Sequence, residues 1–117
     1  MDERRTAPRV ACVLPVRFMV AGSPHPIETL SKNLGLGGLM CLSPRRLPLL
    51  SPISLEMPLG RSREPLVVQG LVRWIQEIPD SQQYFVGITF LGLDREDTVR
   101  LSRYLETTSI LASQPAL

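Results

Sequence analysis

Ser31-Lys32-Asn33-Leu34-Gly35-Leu36-Gly37-Gly38-Leu39 is the densest glycine cluster of the chain, and apolar runs flank it on both sides. Three glycines within four positions give the backbone access to positive φ angles and let another group approach closely. As structure alone, the stretch reads as a glycine-rich turn joining two strands. That strand–turn–strand unit sets the expectation for its surroundings, which is a mainly β protein.

Toward the N-terminus, Val10, Cys12, Leu14, Val16, Phe18 and Val20 place an apolar residue at every even position. This is the period-two pattern of a strand with one buried face. Pro15 has no N–H to donate and marks an edge or a bulge at mid-strand. Gly22-Ser23-Pro24-His25-Pro26 is a loop, and a second strand is expected from Ile27 to about Lys32. Beyond the glycines, Gly38 to Leu42 reads as a third. Ser43 to Pro48 is irregular, because Pro44 and Pro48 interrupt regular hydrogen bonding.

Ile53, Leu55 and Met57 alternate with Ser54 and Glu56 in a fourth strand. A polar connection, Gly60 to Pro65, leads into the longest strand, roughly Leu66 to Ile78, with Gly70 as the expected bend or bulge. Pro79-Asp80-Ser81 is a turn. Tyr84, Val86, Ile88 and Phe90 mark a sixth strand, with Gly87 on its other face. After Leu93 the period changes. Asp94 suits an N-cap, Asp97 suits the first turn, and Leu101, Tyr104 and Leu105 form a helical stripe. A helix from Asp94 to about Thr108 follows, with Glu96 and Arg100 as an i,i+4 pair.

Residues 1–9 are polar and interrupted by Pro8, so they read as a flexible Arg-rich arm. Residues 10–108 form a single domain and residues 109–117 a tail. Six antiparallel strands in so short a chain favour a small barrel, since closure removes exposed edges. The expected fold is therefore a six-stranded antiparallel β-barrel with a C-terminal α-helix.

Apolar residues make up 44% of the 117, enough for a core. No apolar run approaches the roughly 18–20 residues that span a bilayer, so membrane insertion is not expected. The polar N-terminus does not read as a signal peptide, and the default compartment is cytoplasmic. Net charge is only +2, which gives little general attraction to nucleic acid. Lys32 is the sole Lys among thirteen basic residues, and Arg4, Arg5, Arg9 and Arg17 crowd the N-terminal end. Arg pairs bidentately with phosphates and guanine edges and stacks on flat rings.

Enzyme templates fail. The only His, His25, sits between prolines, so no Ser-His-Asp or Cys-His set can be assembled without it. Cys12 and Cys41 lie in apolar segments without metal-ligand spacing and read as buried reduced thiols. Gly35-x-Gly37 would need a third Gly where Met40 stands, and no phosphate-binding Gly-Lys-Ser/Thr follows. No catalytic residue, metal or cofactor is expected. Aromatics are 5% of residues, and Phe18, Tyr84, Phe90 and Trp74 share parity with core positions, which argues against a stacking platform for nucleic acid.

What remains is the Arg-rich arm and the Asn-Gly stretch. Asn33 offers both a donor and an acceptor to a base edge, and neighbouring glycines let backbone N–H groups reach phosphate oxygens. At these residues the chain resembles the PilZ domain family, bacterial receptors for the second messenger cyclic di-GMP. The family's Arg-x-x-x-Arg motif appears complete as Arg5-Thr6-Ala7-Pro8-Arg9, preceded by Arg4. Its Asp/Asn-x-Ser-x-x-Gly motif appears as Asn33-Leu34-Gly35-Leu36-Gly37-Gly38, with Gly35 in place of Ser. Gly70 to Trp74 and Tyr84 to Phe90 are similar to the family's last two strands.

The resemblance implies a cyclic di-GMP receptor. Arg5 and Arg9 would grip phosphate and guanine, Arg4 would add a contact, Asn33 would meet a guanine edge, and Gly35 and Gly38 would supply the close backbone. It further implies a signal passed to an effector protein, in motility, exopolysaccharide or virulence control. Two alternatives stay open: a nucleotide-independent interaction module on the same barrel, and a small nucleic-acid-binding barrel.

Overall fold

The period-two patterns become seven strands in a computed structural model, which describes residues 9–60 and 64–113. In chain order these are β1 (Arg9–Ala11), β2 (Pro15–Val20), β3 (Ile27–Gly35), β4 (Gly38–Ser43), β5 (Pro52–Met57), β6 (Leu66–Glu77) and β7 (Tyr84–Leu91). One helix, α1 (Arg95–Ser113), follows. Strands β3, β2, β5, β6, β7 and β4 are hydrogen-bonded in that order, and β4 pairs back onto β3. The result is the expected closed six-stranded antiparallel barrel with a C-terminal helix. The short β1 lies along the same edge of β3 as β2.

The strand expected to run unbroken from Val10 to Val20 is therefore two segments. The gap falls at Cys12–Leu14, just ahead of Pro15 rather than on it. Val10 faces Leu34 and Val16 faces Thr29, so the chain slips by a residue across the gap. Ser31, fully buried, fills it. Its hydroxyl donates to the Cys12 carbonyl at 2.7 Å and accepts the Leu14 N–H at 3.1 Å. Two backbone groups that the ladder would leave unpaired in the interior are thus satisfied by one side chain.

Phe18, Leu34, Leu39, Leu55 and Val72 are completely buried at the centre of the barrel. Each such side chain contributes about 1.5–3 kcal/mol relative to an exposed one. Helix α1 closes over the core with Leu101 and Leu105. Asp94 caps it as expected, its Oδ1 accepting the Asp97 N–H at 2.7 Å. The helix continues past Thr108 to Ser113. Arg100 pairs with Asp97 at 3.8 Å. Tyr104 Oη lies 3.8 Å from Cys12 Sγ, which ties α1 to the gap after β1.

Two bulges shape the outer surface. The register of β3 against β4 shifts between Ser31 and Asn33, and that of β6 against β7 shifts between Val72 and Trp74. An extra residue reverses the inside–outside alternation beyond it. Trp74 would otherwise share the inward parity of Val68 and Val72. With Arg73 inserted it faces outward and is 37% exposed, so the expectation of a core Trp74 is corrected. The bulge expected at Gly70 is absent, since Gly70 sits in regular register between Ile53 and Phe90. Its lack of a side chain answers crowding instead: a Cβ there would meet Ile88 Cγ2 at 2.7 Å and the Thr89 carbonyl at 2.9 Å.

Candidate functional site

The glycine cluster is less of a turn than its composition indicates. β3 continues through Gly35, beyond the expected end near Lys32, so Asn33 and Gly35 are strand residues and only Leu36 and Gly37 connect β3 to β4. Gly22, Gly60 and Gly92, all in other loops, are the glycines with positive φ, so the cluster does not use that freedom. Close approach is what it uses. A Cβ on Gly38 would collide with the Ile88 carbonyl oxygen of β7.

The β3 bulge decides where Asn33 points. Ser31 faces the core, and regular alternation would send Asn33 there too. The extra residue, Lys32, lets Leu34 take the inward position and leaves Asn33 with the outward set. Asn33 then pairs with Met40 on β4, Met40 with Gly87 on β7, and Gly87 with Trp74 on β6. One cross-strand row on the outer wall thus carries Asn33, Met40 and Trp74. Gly87 is its low point, and the Trp74 indole covers it: a Cβ at Gly87 would collide with Nε1 and Cε2.

The row holds an unmet electrostatic demand. Asn33 Oδ1 is buried and has no hydrogen-bond partner among the described residues. An acceptor in that state costs about 1–3 kcal/mol relative to a satisfied one. Such groups are rare, and each calls for an explanation.

The first motif enters from β1. Arg9, expected at the end of the arm, is the first residue of that strand, with its Cα opposite Gly35, and Ala11 is opposite Asn33. The register therefore brings the backbone of Arg9, the last residue of the Arg-x-x-x-Arg motif, directly beside the Asn-x-Gly segment. Arg4 and Arg5 lie outside the described residues, and Arg9 is placed here by its backbone. Gly38 is two ladder positions from Met40, opposite Thr89.

Other sequence candidates separate from this row. His25 is exposed in the loop between β2 and β3. Cys12 and Cys41 are buried free thiols, and burial pushes the Cys41 thiol up to about 12. Among the described residues, no three His, Cys, Asp or Glu side chains are grouped to hold a metal ion, and no helix is long and apolar enough to cross a membrane.

The sequence profile of the PilZ domain matches residues 3–107. The chain belongs to the PilZ family. Among solved structures, this PilZ domain is similar to the Bacillus subtilis inhibitor of motility MotI/DgrA, with a TM-score of 0.79 at 20% identity. It is similar also to the PilZ domain of Escherichia coli YcgR, solved with c-di-GMP, with a TM-score of 0.76 at 17% identity. The K. pneumonia MrkH–c-di-GMP complex gives 0.70 at 14%. The matches cover 97%, 94% and 96% of this chain, and 55%, 95% and 55% of the respective partners. The chain thus spans about half the length of MotI/DgrA and MrkH. At these identities the likeness is one of fold. No curated protein matches in sequence.

Met40 and Trp74, which share the outer row with Asn33, carry no motif in the sequence. A partial signal exists in Gly87, which leaves a gap between the inward Val86 and Ile88. What faces that gap depends on the β6–β7 register.

Proposed function

We propose that this PilZ domain is a cyclic di-GMP receptor whose site is the outer row of Asn33, Met40 and Trp74 together with the incoming arm. The observation that carries this reading is the buried Asn33 Oδ1, without a hydrogen-bond partner among the described residues, in the same outer row as an outward indole. A guanine supplies N–H donors for that oxygen and a flat face for Trp74. Arg5 and Arg9 supply charge-assisted contacts to phosphate and guanine. Gly38 holds β4 close to β7, and Arg4 adds a further guanidinium. The YcgR and MrkH complexes with c-di-GMP support the ligand class.

In this reading the nucleotide gathers residues 1–9 against β3 and Gly35, and the remade surface is read by an effector protein. The motility-inhibitor relative supports motility as one output. Gly35 in place of the family's Ser removes a hydroxyl from the site. A hydrogen bond to a charged group is worth about 1.5–3 kcal/mol, so affinity falls by roughly ten- to a hundredfold from that of a Ser-bearing site.

Calorimetric titration of the full chain with cyclic di-GMP tests the reading. Saturable binding is expected. Arg5→Ala and Arg9→Ala should each remove most of it, and Gly35→Ser should tighten it by about tenfold or more. Ligand should also protect the arm from trypsin, which cuts after Arg. No heat at high micromolar ligand, with the protein folded, overturns the receptor reading. That result favours the second reading, for which the missing Ser hydroxyl speaks: a nucleotide-independent interaction module on the same barrel.

A further inference from the structure

A second feature of the barrel lies on the far side of Trp74 from Asn33. A groove of about 430 Å³ is lined by Arg46, Pro48, Leu49, Arg73, Trp74 and Ile75, together with the buried Leu47. Its rim holds two guanidinium groups and no carboxylate. Leu49 is 63% exposed, and its neighbour Leu50 is 59% exposed.

The backbone around this groove is irregular on both sides. Leu50 has φ 64°, a left-handed conformation in which a branched side chain is strained. Its N–H donates to the Val72 carbonyl at 2.7 Å, and the Val72 N–H donates back to the Ser51 carbonyl at 3.2 Å. Leu50 and Ser51 thus oppose the single Val72, in the bulge type whose first position is normally Gly. On the other edge of the same strand, the bulge at Arg73 turns Trp74 outward. Two bulges thus flank Val72 beside the patch formed by Leu49, Arg73 and Trp74, with the exposed Leu50 next to Leu49. Strain of this kind persists where the surrounding structure holds it, and it gathers at functional positions.

We infer that this patch docks a protein partner through an acidic segment carrying bulky apolar side chains. The apolar floor of Leu49, Ile75 and Trp74 buries the partner's apolar residues. Arg46 and Arg73 pair with its carboxylates, and Arg and Trp are the residue types that dominate binding energy at interfaces. Arg46 is already oriented, its guanidinium 5.7 Å from the centre of the Tyr84 ring. The groove stands on its own without the nucleotide. Because Trp74 belongs to both surfaces, occupancy of the outer row changes one wall of the groove.

The test is selection of peptides from a random display library on the full chain, with affinities of the winners read from Trp74, the sole Trp. The expected winners combine Asp or Glu with Leu or Phe and shift the Trp74 emission to the blue on saturation. Leu49→Ser and Arg73→Glu should each weaken them by about tenfold. Leu50→Gly should weaken them at an unchanged or higher Tm, which a purely structural Leu50 would not do. Leu30→Ser, in the separate groove between β2, β3 and β5, should leave affinity unaltered. Winners that are neutral or basic, or that bind the Leu49 and Arg73 variants as well as wild type, overturn the proposal. So does saturable binding of phosphatidylglycerol vesicles or a single-stranded DNA oligonucleotide when no peptide is enriched. Since cyclic di-GMP binding is scored separately by calorimetry, failure of one reading is distinguishable from failure of the other.

Discussion

The indole of Trp74 occupies the space above Gly87 that any larger residue there would claim, with Nε1, Cε2 and Cδ1 all in collision with a Cβ at that position. Gly87 in turn is the ladder partner of Met40, which is the partner of Asn33. The outermost aromatic group of the barrel is thus seated by a glycine on the neighbouring strand, three strands away from the polar residue with which it shares a surface.

Gly87→Ala should displace the indole while leaving the barrel folded, because a surface side chain can swing aside where backbone cannot. The stability change is expected below about 1.5 kcal/mol. Emission of the sole Trp should move to the red, and cyclic di-GMP affinity should fall several-fold. Unchanged emission would show that the indole does not rest on Gly87.

Gly38 and Gly37 should behave oppositely despite being neighbours. A Cβ at Gly38 meets the Ile88 carbonyl, which is held in the β4–β7 ladder, whereas nothing lies within 4 Å of one at Gly37. Gly38→Ala is expected to cost roughly 1–3 kcal/mol in urea denaturation. Gly37→Ala should stay within about 0.5 kcal/mol. Equal effects would mean that close approach is not what Gly38 provides.

Ser31→Ala removes the hydroxyl that satisfies Cys12 O and Leu14 N in the gap between β1 and β2. Leaving buried groups unpaired costs about 1–3 kcal/mol. The same change loosens the seat of β1, which sets Arg9 opposite Gly35. Hydrogen exchange should therefore quicken first at Val10, Cys12 and Leu14, ahead of β5 and β6. A uniform change across the barrel would argue against a local role.

Cys41 supplies a pH dependence. Its thiol is raised from an ordinary 9.0 to about 12 by burial in the core. The unfolded chain therefore releases this proton at lower pH than the folded protein does. Stability from this group is complete below about pH 9 and is lost as pH rises toward 12. Between those limits the slope is about 1.4 kcal/mol per pH unit for one proton. Cys41→Ala should be less stable at neutral pH and should lose that share of the alkaline slope in urea titrations. An identical slope would show that another group carries it.

Much of this molecule is legible in its residues. Apolar residues at every second position from Val16 to Val20, from Ile53 to Met57 and from Tyr84 to Phe90 point to strands with a buried face. Asp94 announces the helix because its carboxylate meets a free N–H in the first turn. The paired motifs, Arg5 to Arg9 and Asn33 to Gly38, identify the family from side-chain chemistry alone. Less legible are the positions where alternation fails. Trp74 shares the parity of Val72 in the sequence but not in space, since Arg73 is extra. Asn33 is separated from inward Ser31 in the same way by Lys32. The strand end expected near Lys32 falls instead at Gly35: glycines suggest a turn by conformational freedom, while here Gly35 and Gly38 are strand residues and Gly38 serves close packing.

The sequence by itself determined the class of fold, its closing helix and the residue types available to grip a dinucleotide. It did so because periodicity, capping and charge are local properties. Only the tertiary structure decided that Asn33, Met40 and Trp74 share one outward row, that β1 sets Arg9 against Gly35, and that Ser31 fills the gap beside it. A bulge is a mismatch between two strands, so its position depends on a partner distant along the chain.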